Sequence, residues 1–225
     1  MKRSLEEHAE RFSAMAVEYD EQAGTEYLAC ADLVIEHADP APDDVVLDLG
    51  TGTGAIALAL ADAVDPDAGG LIVGRDISEG MMAKAEAKAE SEGFQNLEFG
   101  RGTFREPDYD GNVDVITSNF ALHHLSDEEK REAIEVIADL EPRKFVLGDV
   151  MFFGEPDPEE PFYSPEVDDP ATVGTLADAF TDAGFSLTAV ERVHDQVGVL
   201  VAERTPTEAD GIPGDDADDE TAADA

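Results

Sequence analysis

Val45-Val46-Leu47-Asp48-Leu49-Gly50-Thr51-Gly52-Thr53-Gly54 reads as an apolar strand that ends on a carboxylate and opens into a glycine loop. The apolar run Ala55-Ile56-Ala57-Leu58-Ala59-Leu60 then continues as a helix. Glycines at alternate positions let the backbone turn sharply from strand to helix and leave room for a ligand to lie against the main chain. A nucleoside-binding crevice is therefore expected at the C-terminal end of this first strand.

Two ligands compete for that crevice. Gly50, Gly52 and Ala55 satisfy the spacing of a dinucleotide fingerprint, and Asp76 lies about where a ribose-binding acid is expected. Charge separates the two. A diphosphate is anionic and wants bare helix N–H groups, so a carboxylate at Asp48 repels it. S-adenosylmethionine has no phosphate and carries an ammonium and a sulfonium, both attracted by a nearby carboxylate. Asp48 and the loop residues Gly50, Thr51, Gly52 and Gly54 are thus candidates to hold the methionine portion of that donor. Asp76 ends the next strand and is suited to accept from both ribose hydroxyls, with Ile77 against the adenine face.

Outward from the loop, apolar strands and helices alternate regularly, which argues for a parallel sheet with helices on both faces. Strands are expected near 45–49, 71–75, 96–100, 112–118 and 144–150, and helices near 54–64, 79–92 and 127–139. Gly93 closes the second of these helices, and Ser126 with Glu129 forms a capping box on the third. Residues 5–39 read as two helices separated near Gly24, an N-terminal cap over residues 1–40. Within it Phe12 and the aromatic-acid pair Tyr19-Asp20 read as ordinary helix packing. The domain proper covers residues 41–205. It includes a proline-rich stretch with aromatic residues, 151–170, of the kind that serves as a lid, then a helix near 172–183 and strands near 186–193 and 196–204. Residues 206–225 are acidic, have almost nothing to bury, and are expected to be a disordered tail.

At 225 residues the chain suits one sizeable α/β domain. Its formal net charge is −40, from 54 acidic against 14 basic residues spread over the whole length. Such self-repulsion is tolerable where salt shrinks the screening length to about 3 Å at 1 M. A salt-in halophile is the simplest reading. A basic partner is the rival, although it would concentrate the charge on one face. Cys30 is the only cysteine, so no intrachain disulfide forms, and its apolar helical setting suits burial. The first residues lack a signal-like apolar stretch and no window approaches a membrane span, so a soluble, cytoplasmic protein without a membrane partner is expected.

Three ordered motifs extend the reading. Asp48-Leu49-Gly50-Thr51-Gly52-Thr53-Gly54, Gly74-Arg75-Asp76-Ile77-Ser78-Glu79-Gly80-Met81-Met82 and the run Val113 to Leu125 resemble successive motifs of class I S-adenosylmethionine-dependent methyltransferases, most closely the ubiquinone/menaquinone-type small-molecule branch. The resemblance implies a doubly wound, Rossmann-like, seven-stranded and mostly parallel sheet of order 3-2-1-4-5-7-6, with an antiparallel last strand. It also implies that Thr103 stands where the family commonly has an adenine-binding aspartate, that Phe104 stacks beside it, and that Asn119 touches the methionine end of the donor. For Phe12 and the pair Tyr19-Asp20 a place beside the pocket is only what this resemblance implies. The glycine pair that usually follows the family's proline is missing at Pro142-Arg143-Lys144.

Methyl transfer from a sulfonium uses an activated donor, so positioning supplies much of the catalysis. His123 and His124 are the candidates for taking an acceptor proton. The five histidines show no metal-site spacing, and no metal is expected. A small-molecule acceptor is the leading reading, its oligomeric setting left open. A nucleic-acid methyltransferase is disfavoured by the lack of a basic stripe, and a donor-binding protein without catalysis is the third reading. Dialysis into about 50 mM salt, which lengthens the screening distance several-fold over 1 M, is expected to cost secondary structure. A circular dichroism spectrum unchanged by that dilution refutes salt dependence.

Overall fold

The computed structural model describes residues 5–16, 19–20, 23–155 and 161–204. The acidic tail expected at 206–225, and residues 156–160 of the proline-rich stretch, lie outside the described residues. In chain order the elements are α1 (Leu5–Met15), α2 (Thr25–Ala38), β1 (Val45–Leu49), α3 (Ala55–Leu60), β2 (Leu71–Asp76), α4 (Glu79–Glu92), β3 (Leu97–Arg101) and β4 (Val115–Asn119). A 3-10 turn (Leu122–His124), α5 (Asp127–Asp139), β5 (Lys144–Phe152), β6 (Ala171–Thr172), α6 (Val173–Asp182), β7 (Phe185–His194) and β8 (Val197–Arg204) complete them.

The strands form one mixed sheet of order β3-β2-β1-β4-β5-β8-β7, with β6 paired to the end of β5. All pairings are parallel except β5 with β8 and β7 with β8. Setting aside the two-residue β6, which the sequence pattern did not show, this is the expected 3-2-1-4-5-7-6 order with a closing hairpin. The sheet has eight strands instead of seven because the chain returning from the proline-rich stretch pairs Ala171 and Thr172 with Met151 and Phe152 before entering α6.

Alternation along the strands divides the core into two layers. Leu47, Leu49, Ile116, Phe145 and Leu147 face Ile134 and Ile137 of α5 and Phe180 of α6. Val46, Ile72, Val115 and Val146 face Cys30 and Val34 of α2 and Ile56 and Leu60 of α3. Burying a side chain such as Phe145, fully enclosed, stabilises the fold by about 1.5–3 kcal/mol. Helix α2 is thus part of the core layer as well as of the N-terminal cap. Its Cys30 is buried, with the thiol toward the Gly198 carbonyl at 3.5 Å.

Two expected details differ. The helix after the glycine loop ends at Leu60, not near residue 64, because turns through Pro66 and Gly69-Gly70 tie the chain back to the Pro42 carbonyl through the Asp65 N–H (2.7 Å). At Pro142, where the glycine pair is missing, Glu141 takes the left-handed conformation (φ 57°). Arg143 then anchors the turn through its N–H to the Asp114 carbonyl (2.9 Å) and its guanidinium to Asp44.

The helix ends follow their capping residues. The Ser78 hydroxyl accepts from Met81 N–H (3.2 Å) at the start of α4, and Gly93 ends that helix in the left-handed region (φ 81°). The Ser126–Glu129 capping box opens α5, with the Glu129 carboxylate accepting from Ser126 N–H at 2.9 Å. Ser126→Ala removes one half of this box and is expected to lower stability by about 1 kcal/mol. Urea denaturation should show a lower midpoint with an unchanged slope; an unchanged midpoint contradicts the cap's role.

Candidate functional site

A cavity of about 1060 Å³ opens at the C-terminal ends of β1, β2 and β4, under α1 and the start of α2. Its floor is set by strand register. Asp48 pairs with Gly74 of β2 on one side and Thr117 of β4 on the other. The Thr117 hydroxyl donates to Asp48 Oδ1 at 2.8 Å, whereas Oδ2 makes no well-aligned hydrogen bond although it is buried. Burial pushes the Asp48 carboxyl up to about 6, against the pull of the neighbouring Thr51 and Thr117 hydroxyls and with a further push from Asp76. A buried carboxylate with one oxygen unsatisfied is costly until a donor or cation reaches it.

The loop after β1 runs through three left-handed glycines, Gly50 (φ 71°), Gly52 (φ 55°) and Gly54 (φ 82°). A Cβ on Gly50 would stand 2.4 Å from that of Ala121, so no other residue fits there without displacement. The loop spends its N–H groups on the protein. Gly50 and Thr51 donate to the Arg75 carbonyl (2.8 and 3.1 Å), Gly52 to Asp76 Oδ2 (2.9 Å) and Gly54 to the Thr51 carbonyl (2.9 Å). A diphosphate needs such donors bare, so this loop offers it little, while the unsatisfied Asp48 oxygen draws a cation.

Asp76 accepts Gly52 N–H on one oxygen and Ser78 N–H (2.8 Å) on the other, and each oxygen retains a lone pair. Burial raises its carboxyl above the ordinary range, opposed by those backbone N–H groups. Asp76 and Ile77 both line the cavity, as do Thr103, Phe104 and Asn119. The Thr103 hydroxyl already accepts Glu106 N–H at 2.9 Å, closing a turn, which leaves it a smaller share in recognising a base than its position implied. Asn119 sits in the space left by Gly148, its register partner on β5, where a Cβ would come within 2.6 Å of the carboxamide oxygen. Neither polar atom of the Asn119 carboxamide makes a well-aligned hydrogen bond despite burial. Two side chains with incompletely satisfied polar atoms, Asp48 and Asn119, thus line one cavity, the arrangement expected where a polar ligand completes the bonding.

The histidine pair divides. His123 does not line the cavity; its Nδ1 lies 2.5 Å from Asp149 Oδ1, its N–H donates to Asp149 Oδ2 (2.8 Å), and the ring is buried. Burial opposes a charge on this ring, yet Asp149, and Asp168 beyond it, hold its pKa above the usual histidine value. His124 lines the cavity, with Nδ1 2.8 Å from Asp168 Oδ1. Burial, together with nearby His123, keeps its pKa below the ordinary value despite Asp168.

Several residues of this site were not singled out in the sequence. Tyr27, Phe120 and His8 line the cavity, and Asp149 and Asp168 hold the histidines from 26 and 44 residues away. Asp168 reads in the sequence as one acid among many. His123, His124 and Asp168 also bring three potential ligand atoms within 4.8 Å of one another, which the histidine spacing did not suggest. Both Nδ1 atoms are already engaged by carboxylates, and the Lys130 ammonium is bound to the adjacent Asp169 carbonyl.

The aromatic-acid element of the cap has split roles. Tyr19 lines the cavity. Asp20 instead binds Lys84 and Lys88 of α4 (2.9 Å each) and accepts from the Thr53 hydroxyl of the glycine loop (2.5 Å). Although partial burial opposes it, these bonds from Thr53, Lys84 and Lys88 lower the Asp20 carboxyl to about 2. Ser13 of α1 adds a hydroxyl contact to Ser78 at 2.8 Å. The cap is fastened to the rim of the cavity it covers.

Asp48→Asn provides a test with opposed outcomes. The folded value of Asp48 lies above the unfolded 3.8, so the folded chain holds this proton more tightly, and stability falls as pH rises from about 4 to about 6. Ionised Asp48 therefore costs roughly 2–3 kcal/mol. The variant is expected to be more stable than the parent at pH 7 by up to that amount and to lose donor affinity. Equal stability at pH 7, or a midpoint independent of pH over this window, contradicts the assignment.

Comparisons with known proteins agree with this geometry. Residues 46–141 match a family described as "Methyltransferase domain". The chain is 33% identical over 108 residues to the uncharacterized methyltransferase YcgJ of Bacillus subtilis, covering 47% of this chain and 41% of that protein. It is 30% identical over 152 residues to an arsenite methyltransferase of Halobacterium salinarum, covering 64% of this chain and 38% of that protein. The matched stretches thus span about two fifths of these relatives. Among solved structures, the [4+2]-cyclase SpnF superposes with a TM-score of 0.73 at 16% identity over 90% of this chain and 97% of its own, a likeness of fold alone. Residues 46–141 thus match a methyltransferase domain and are carried in a Rossmann-like, mostly parallel sheet.

Proposed function

We propose that this chain transfers a methyl group from S-adenosylmethionine to a small-molecule acceptor. The observation that carries the reading is the buried, half-satisfied Asp48 carboxylate beside a glycine loop whose N–H groups are spent internally. Bound there, S-adenosylmethionine supplies a methyl activated by the sulfonium. Asp48 and the loop from Gly50 through Thr51 and Gly52 to Gly54 orient the methionine end, joined by Asn119. Asp76 accepts from the ribose hydroxyls, and Ile77, Thr103 and Phe104 border the base. The aromatic wall of Tyr19, Tyr27 and Phe120 supports an acceptor with an apolar face and the small-molecule branch nearest the quinone-type enzymes. His124 is the proton acceptor in this reading, and His123 is its buried support.

A nucleic-acid substrate is less well supported. The basic residues are largely spent on acids: Arg75 on Glu98, Lys84 and Lys88 on Asp20, Arg105 on Glu129 and Glu132, Arg131 on Asp182. That leaves little to neutralise phosphates. No helix among the described residues is long and apolar enough to cross a membrane. The net charge of −40 supports a halophilic, cytoplasmic setting. A cap over 1–40, a methyltransferase domain over 41–205 and an acidic tail over 206–225 remain the proposed organisation.

The test is calorimetry in molar salt. S-adenosylmethionine is expected to bind saturably, and Asp76→Ala to weaken it by roughly 10²-fold, as for loss of charge-assisted hydrogen bonds. Tight uptake of NAD with indifference to S-adenosylmethionine overturns the reading.

A further inference from the structure

We propose that Asp168 and His124 form a base dyad that takes the proton of a phenolic acceptor, so that the methyl group is delivered to oxygen. The inference rests on the methyltransferase reading and deepens it by naming a positioning residue and an acceptor class.

Three observations carry it. The first is geometric: His124 Nδ1 lies 2.8 Å from Asp168 Oδ1 while the ring lines the cavity. With Nδ1–H donated to the carboxylate, Nε2 is left as the basic atom on the cavity side.

The second is that Asp168 is itself held. Its Oδ2 accepts Ser164 N–H (2.8 Å), its own N–H donates to the Ser164 carbonyl (2.9 Å), and the next residue, Asp169, donates its N–H to the His123 carbonyl (2.7 Å). Buried Lys130 closes this bend by donating to the Asp169 carbonyl. The chain returning from the proline-rich stretch is thus fixed on the histidine turn and presents one carboxylate to one ring nitrogen. An acid placed this way selects the tautomer and stabilises the imidazolium that forms.

The third is the surroundings. The His124 ring packs tilted against both His8 and Phe12 of α1 (centroids 5.4 Å apart) and against His123 (4.1 Å). The facing titratable groups are His8 from α1, His123 from the same turn, Asp149 from β5, Asp76 from β2 and Asp168. Tyr27 and Phe120, 5.2 Å apart, continue the aromatic lining. A flat, apolar ring fits such a wall. A ring-bound hydroxyl also ionises near pH 10, as in tyrosine, within reach of an imidazole base, whereas an aliphatic hydroxyl is too weak an acid. Burial keeps His124 unprotonated near neutrality, the state a base requires.

The step balances as follows. The phenol O–H bond breaks and its proton passes to His124 Nε2. The oxygen forms a bond to the methyl carbon as the carbon–sulfur bond breaks. The sulfur keeps that electron pair and leaves as the neutral thioether of S-adenosylhomocysteine, and the imidazolium, paired with Asp168, returns the proton to water.

The first measurement needs no cofactor. 4-Nitrophenol is added to the whole chain in molar salt at a pH below its own ionisation, and the absorption band of the neutral phenol is recorded. The parent protein is expected to bind it with a red-shifted neutral band, the mark of an O–H donated to an imidazole, His124→Gln to bind it without that shift, and Asp168→Asn to lose most of the shift. The second measurement is turnover of 1-naphthol with S-adenosylmethionine. His124→Gln should lower kcat by roughly 10²–10⁴-fold and Asp168→Asn by roughly 10–100-fold. Neither should alter donor affinity, and 4-nitrophenol, already ionised near neutrality, should lose far less rate in both variants. That contrast is absent if Asp168 only props the bend, since a fold defect slows every acceptor alike. Failure to bind 4-nitrophenol, binding without that band shift, or equal losses with both phenols overturns the dyad while leaving the methyltransferase reading intact. Failure of S-adenosylmethionine to bind the parent protein overturns that reading instead.

Discussion

A negative charge sits at the C-terminal end of the central strand, buried between β2 and β4, with only one of its two oxygens satisfied. The Thr51 and Thr117 hydroxyls relieve Asp48 only in part. Gly74 offers no side chain, Thr117 is already committed, and the glycine loop overhead has turned its N–H groups to Arg75 and Asp76. The free chain therefore carries an electrostatic penalty that a cationic ligand removes, so the energy withheld from folding becomes available to binding. The core surrounding Asp48 holds it in place. Leu47 and Leu49 anchor one face of β1, and Val46 anchors the other.

The walls over that floor come from distant parts of the chain and are held by polar fastenings. Asp20 joins the N-terminal segment to α4 and to Thr53 of the loop, and Asp168 and Asp169 join the returning chain to the histidine turn. Both covers meet at His124, which touches Phe12 of one and Asp168 of the other. Exposed ion pairs such as those of Asp20 are individually weak, so the N-terminal cover is less firmly held than the sheet beneath it. Elements that admit a ligand are drawn from that weaker end of a fold.

Excess acid has a structural consequence of its own. With 54 acidic residues against 14 basic, basic side chains are scarce and are placed where they join elements: Lys130 at the Asp169 bend, Arg143 between Asp44 and the Asp114 carbonyl, Arg204 between Glu141 and the end of α5. Lys130 and Arg204 each satisfy more than one acceptor with their charged groups, while Arg143 reaches Asp44 with its guanidinium and the Asp114 carbonyl with its main-chain N–H.

The amino-acid sequence by itself determined most of the strands and helices and the placing of helices on both faces of the sheet, because those rest on short-range rules. Strand alternation, the Ser126–Glu129 box, the left-handed glycines and the carboxylates ending β1 and β2 are each legible within a few residues. Tertiary structure alone decided which histidine faces the ligand and which is a buried strut. His123 and His124 are chemically identical neighbours, and the 3-10 turn sends one ring to Asp149 and the other to Asp168. It also decided that Asp168, one acid among many, sits against an imidazole, and that Asn119 is seated in the space at Gly148. Contacts between residues tens of positions apart follow from where the chain returns over the sheet, and no local pattern encodes that path.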